Sequence, residues 1–155
     1  WHDAMAYCFW LGDKIGREVT LPSEGEWEKA ARGDQEPRMF PWGNEWRELH
    51  CNSDELGLGE TTPVGVFTQG ASPYGCLDMS GNVWEWTRSQ YENYPYQPDD
   101  GREELIGKKA RVVRGGSFDS VAWFVRCGVR SRRSLDDLFG GHIGFRLCLP
   151  HSPQA

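Results

Sequence analysis

The sequence predicts an α+β domain of two helices, a few short strands and long irregular loops. Three observations predict it. Two stretches near the N-terminus carry apolar residues at helical spacing, three short stretches in the second half alternate, and a turn-rich run separates the two groups. The 155 residues amount to one domain, large enough to bury its own core.

Ala4, Cys8, Leu11 and Ile15 recur at helical spacing, which predicts an amphipathic helix from about Asp3 to Asp13. Leu21-Pro22-Ser23-Glu24-Gly25-Glu26-Trp27 opens a second helix. Ser23 is its N-cap, Glu26 closes a capping box, Gly33 ends it, and Trp27, Ala30 and Ala31 face inward. From Asp34 to Gly75 turn formers dominate, as in Pro41-Trp42-Gly43-Asn44 and Gly70-Ala71-Ser72-Pro73. So long a stretch without periodicity must be held by its own aromatics and polar groups, or by ions. Gly57-Leu58-Gly59 has neither a following lysine nor a strand–helix frame, so it is no phosphate loop. Val83–Thr87, Arg111–Arg114 and Ile143–Leu147 alternate and are strand candidates, whereas Tyr91–Gly107 is a polar loop.

Composition excludes several classes. No apolar run reaches membrane-spanning length. A net charge of −6 argues against nucleic acid, whose binding rests on phosphate neutralisation. The arginines gathered toward the C-terminal end read as internal salt-bridge partners. The five cysteines, Cys8, Cys51, Cys76, Cys127 and Cys148, are odd in number and without C-x-x-C spacing. They read as buried free thiols of a reducing compartment, which makes a cytoplasmic location the expectation. The opening Trp1-His2-Asp3-Ala4-Met5 falls inside a helical pattern, so a missing N-terminal part and a larger multidomain chain are expected.

Leu21-Pro22-Ser23-Glu24-Gly25-Glu26-Trp27-Glu28-Lys29-Ala30-Ala31-Arg32-Gly33 resembles the L-P-[TS]-E-x-E-W-E-x-A-A-R-G signature of the formylglycine-generating-enzyme/sulfatase-modifying-factor family. Further blocks follow in the family's order: Pro41-Trp42-Gly43, Pro63-Val64-Gly65, Asp78-Met79-Ser80-Gly81-Asn82-Val83-Trp84-Glu85-Trp86-Thr87, Arg114-Gly115-Gly116-Ser117-Phe118 and Gly144-Phe145-Arg146. The resemblance covers residues 1–155 and implies a C-type lectin-like fold, with a small twisted antiparallel sheet, two helices and extensive loops.

The resemblance also implies which chemistry to look for. Converting enzymes of the family bind copper(I) through two cysteines just after the R-G-G-S-[FWY] block, because copper(I) requires soft thiolates. Here Ser120 stands where the first would fall, and neither position carries a thiol. Another branch holds iron through paired histidines, but His2, His50, His142 and His151 are isolated from one another. Neither copper nor iron is therefore expected, and no catalytic residue is assigned. Family members hold calcium beside the G-N-x-W-E-W block. Carried over, the ligands are the side chains of Asp78 and Glu85 with the carbonyls of Gly81 and Val83, oxygen donors suited to a hard cation. The competing reading pairs Glu85 with a buried arginine and needs no ion.

Between Phe118 and Ile143, fixed-looking residues (Trp123, Val125, Arg126, Cys127, Arg130, Arg132 and Ile143) alternate with a heterogeneous set. That set is Asp119, Ser120, Val121, Phe124, Ser131, Arg133, Ser134, Leu135, Asp137, Leu138, Phe139, Gly140, Gly141 and His142. The spacing resembles the variable repeat of diversity-generating-retroelement proteins built on this fold, in which template adenines are randomised. Residues 118–143 are accordingly read as a variable ligand-binding segment for an unknown protein or other macromolecule, with exposed apolar anchors at Phe124, Leu138 and Phe139. Trp123 is expected to point into the core. Two alternatives stand beside this reading: a family enzyme with unrecognised chemistry, and a sensor domain of a larger kinase or defence protein.

Overall fold

The structure is a computed structural model that describes residues 1–34, 37–137 and 140–150. Helix α1 spans His2–Ile15 and ends on Gly16, and helix α2 spans Glu24–Arg32. The capping box at α2 forms as its sequence dictates. The Ser23 hydroxyl accepts from the Glu26 amide at 3.1 Å, and the Glu26 carboxylate accepts from the Ser23 amide at 2.7 Å.

Strands β1 (Trp84–Gln90), β2 (Arg111–Arg114), β3 (Arg130–Arg133) and β4 (Ile143–Phe145) form one sheet in the order β3-β2-β1-β4. The first three pair antiparallel, with Trp86 opposite Val113 and Val113 opposite Ser131. β4 runs parallel to β1, Trp84 opposite Ile143, so the sheet is mixed and not wholly antiparallel as the sequence led us to expect. The cause lies in the connection. β3 already runs in the direction of β1, and the chain returns to the far side of β1 before β4 begins, so β4 starts where β1 starts. β3 was missed in the sequence because Arg130-Ser131-Arg132-Arg133 has no apolar alternation to betray a strand.

Period-two alternation along β1 sends side chains to both faces. On one face Trp84, Trp86 and Val113 pack with Ala4, Met5 and Cys8 of α1 and with Val19 and Leu21. On the other, α2 contributes Trp27 and Ala31, packed with Met79 and Cys127. Here Glu85 accepts from the Trp27 indole at 2.7 Å. The long loop region is organised by three short 3-10 turns (Glu48–His50, Asp54–Leu56, Thr68–Gly70) and an aromatic cluster. In that cluster Phe40 stacks on Trp42 at 5.2 Å, while Phe40, Cys51 and Val125 are buried together.

The arginine expectation holds at the core. Arg114 and Arg130 converge on the fully buried carboxylate of Glu24, Arg114 at 3.1 Å and Arg130 at 2.6 Å. Arg102 and Arg111 are also buried, Arg102 held by Asp100 at 2.6 Å. All five cysteines are free; Cys8, Cys51 and Cys127 are buried, and Cys76 and Cys148 partly so. No helix among the described residues is long and apolar enough to cross a membrane.

Candidate recognition site

The loop after β2 begins with Gly115 and Gly116, both at positive φ, which turn the chain sharply away from the sheet. A Cβ on Gly116 would lie 2.7 Å from Val125, so glycine is needed for this close approach. Ser117 and Ser120 lock the turn: the Ser120 hydroxyl accepts from the Ser117 amide and lies 3.1 Å from the Ser117 hydroxyl. Ser117 in turn donates to Asp119 at 2.5 Å. The Asp119 carboxylate lies 3.0 Å from His142 Nδ1, and the His142 ring stacks on Phe118 at 5.0 Å. The Ser117 hydroxyl, and then His142, hold the Asp119 carboxyl below its ordinary range.

Two adjoining recesses open beside this turn. One, of about 440 Å³, is lined by Trp84, Asp119, Val121, Phe124, Ser131 and Arg133 with Ser120 at its wall. The other, of about 390 Å³, is lined by Trp84, Ser117, Asp119, Arg133, Asp137 and His142. Trp84, Asp119 and Arg133 line both, so the two form one continuous concave surface. β3, the start of β1 and the post-β2 loop supply its rigid frame; apolar Val121 and Phe124 lie at one end and polar Asp137 and His142 at the other.

Most of the anticipated recognition residues therefore come together, with corrections. Asp119, Val121, Ser134, Gly140 and Gly141 are exposed, Phe124 is 50% exposed, and Ser131, Arg133, Asp137 and His142 are half-buried around the recess. Ser120, only 9% exposed, is a structural residue: its hydroxyl is engaged by Ser117 and its carbonyl accepts from the Asp54 amide. Leu135, 8% exposed, turns inward, as burial of a branched aliphatic favours. Leu138 and Phe139 lie outside the described residues. Trp123 reverses its expectation. It is 63% exposed, with the Arg126 guanidinium over its ring at 3.2 Å, because buried Val125 and Cys127 fill the space beneath this segment. Trp123 thus joins the exposed apolar residues; its placement one residue before Phe124, in a non-helical turn, was the missed signal.

Thiol chemistry finds little support in this arrangement. Cys51 packs with Phe40 and Val125, whereas Cys127 packs with Trp27 and Met79. Burial pushes both thiols up to about 12, which suppresses the thiolate that a soft metal requires. Among the described residues no three His, Cys, Asp or Glu side chains are arranged to hold a metal ion.

Of the suggested calcium ligands, Asp78, Val83 and Glu85 line a separate recess of about 340 Å³ together with Arg146, and Gly81 is not among its lining residues. Asp78 and Asn82 adopt positive φ, 56° and 64°, which folds this loop back on itself. Both Glu85 oxygens accept from Arg146, at 2.5 and 2.7 Å, so the arginine pairing weighed against an ion is present. Asp78 accepts from the Gly65 amide at 2.7 Å. Arg146 and, at one oxygen, the Trp27 indole thus occupy the Glu85 carboxylate.

Residues 1–150 match the model of the sulfatase-modifying factor enzyme 1-like domain. The formylglycine-generating enzyme of Mus musculus is 34% identical over the whole of this chain and 44% of its own length. The inactive C-alpha-formylglycine-generating enzyme 2 of Bos taurus is 40% identical over 79% of this chain and 38% of its own length. The chain thus spans less than half the length of these curated relatives. Among solved structures, variable protein 1 of Treponema denticola superposes with a TM-score of 0.68 at 29% identity, covering 86% of this chain and 49% of that one.

Proposed function

The chain belongs to the sulfatase-modifying factor enzyme 1-like domain family, and from that premise we propose that it is a non-catalytic ligand-binding domain with a diversified recognition face. The observation that carries the reading is the fate of the post-β2 loop. Ser120, at the position of the first copper-binding cysteine of the converting enzymes, is a buried serine that braces a turn. Around it Asp119, Val121, Trp123 and Phe124 are presented to solvent. A scaffold whose fold is set by Trp27, Glu85 and the Glu24 network leaves such side chains free to vary at little cost in stability. The likeness to a variable protein supports the same reading, as does a relative named inactive. The occupant would be a protein or another macromolecule, bound through exposed aromatic anchors flanked by Asp119, Arg133, Asp137 and His142.

Two measurements test this. Simultaneous substitution of Val121, Phe124 and Arg133 should leave the unfolding midpoint nearly unchanged, and the gene should lie near a reverse transcriptase and a near-identical template repeat differing at adenines. Absence of the template removes diversification and leaves binding. Copper-dependent oxygen consumption by the full-length protein on a cysteine peptide would overturn the non-catalytic reading in favour of an enzyme, which the likeness to the Mus musculus enzyme otherwise favours. A calcium ion at Asp78, Gly81, Val83 and Glu85 would serve as a structural brace of the loop between α2 and β1, away from the recognition face.

A further inference from the structure

We propose that the protein also binds a tetrahedral oxyanion, a phosphoryl or sulfuryl group, in a basic recess between the C-terminal end of α2, the chain at residues 37–39 and the segment entering β3. The recess, of about 550 Å³, is lined by Arg32, Arg38, Met39, Arg126, Gly128 and Val129. Three arginines line it, and no carboxylate does so among the described residues. In a chain of net charge −6 such a concentration does not follow from composition.

The fold builds this cluster from three separate stretches of chain. The Cys127 amide donates to the Met39 carbonyl at 2.7 Å, which ties together the two stretches that bring Arg38 and Arg126 to the recess. Arg126 is oriented by its Nε, which donates to the Trp123 carbonyl at 2.9 Å, and by its stack on the Trp123 ring. Arg32 gives one Nη to Glu28 at 3.2 Å, but its Nε is buried with no acceptor. Gly128 keeps room for that guanidinium: a Cβ there would lie 3.1 Å from the Arg32 Nη2. Like charges gathered together are unfavourable, and an oxyanion offsets them. The planar fork of arginine matches such an anion better than a lysine would. None of the three arginines belongs to the recognition set. Val129 lines this recess and the one beside Phe124, so an oxyanion here would sit next to the apolar end of the recognition face.

Isothermal titration with phenyl phosphate and phenyl sulfate, at constant ionic strength in chloride, tests the proposal. One saturable site is expected for at least one of them; preference for phosphate or for sulfate identifies the group. Arg38→Gln and Arg126→Lys should each weaken binding by about tenfold, with Arg47→Gln, outside the recess, unchanged. Thermal midpoints of the variants establish that they are folded, and Arg126→Lys keeps the charge, so its loss isolates the fork geometry. No saturable binding of either probe, or binding indifferent to both recess variants, overturns the proposal.

Discussion

Replacing Trp123 by alanine should barely disturb the fold, whereas the same change at Trp27 should come close to destroying it. Trp123 is 63% exposed. Truncation forfeits roughly a third of a large side chain's burial, about 1 kcal/mol, and an exposed cation–π contact with Arg126 of roughly 0.5–1 kcal/mol. The sum is about 1–2 kcal/mol. Trp27 is fully buried between α2 and the sheet, and its indole donates to Glu85 at 2.7 Å. A large buried aromatic costs roughly 3–5 kcal/mol on truncation, and a bond to a charged acceptor adds about 1.5–3 kcal/mol. Trp27→Ala therefore consumes about 5 kcal/mol or more, a large share of a typical domain's stability. Urea unfolding followed by far-ultraviolet circular dichroism resolves the difference, provided the slope with denaturant is shared. A loss above about 3 kcal/mol for Trp123→Ala would mean that the segment before Val125 is core, and the recognition face built on it would fall.

Other consequences are open to measurement. Because Asp119 titrates below its ordinary range in the folded protein, its contribution is complete above the unfolded value near ~4 and is lost as pH falls through the depressed folded value. Asp119→Asn should accordingly flatten the fall in thermal midpoint below about pH 4, and an unchanged acid limb would remove the Ser117–Asp119–His142 linkage as its cause. Native thiol labelling should reach Cys76 and Cys148 before Cys8, Cys51 and Cys127; rapid labelling of Cys127 would contradict its burial. Calcium added to chelator-treated protein should raise the thermal midpoint, by about 2.7 kcal/mol of stabilisation at a hundredfold excess over Kd. Glu85→Gln should abolish the rise, and no rise in the parent protein removes the calcium reading. Glu24→Gln should cost roughly 3–5 kcal/mol, because Arg114 and Arg130 lose a buried counter-charge; a cost below about 1 kcal/mol would demote that network to a surface pair.

Helix α2 was legible in the sequence to the residue, because capping is local: Ser23, Glu26 and Gly33 do their work within one or two turns of chain. The family followed from ordered blocks, and the inward face of α2 from its period. β3 was not legible, because Arg130–Arg133 is strand by virtue of its ladder with β2 and its pairing with Glu24 and not by any pattern of its own. Nor was the parallel placement of β4, which depends on where the chain returns. The recognition set was anticipated as a list, but exposure inside it was not: Ser120 and Leu135 went in and Trp123 came out. Side-chain chemistry and short-range geometry are written along the chain, and the sequence determined whatever rests on them. Which of two neighbouring side chains meets water depends on what lies beneath, and for Trp123 that is Val125 and Cys127 packed against residues brought in from Phe40, Cys51, Trp27 and Met79.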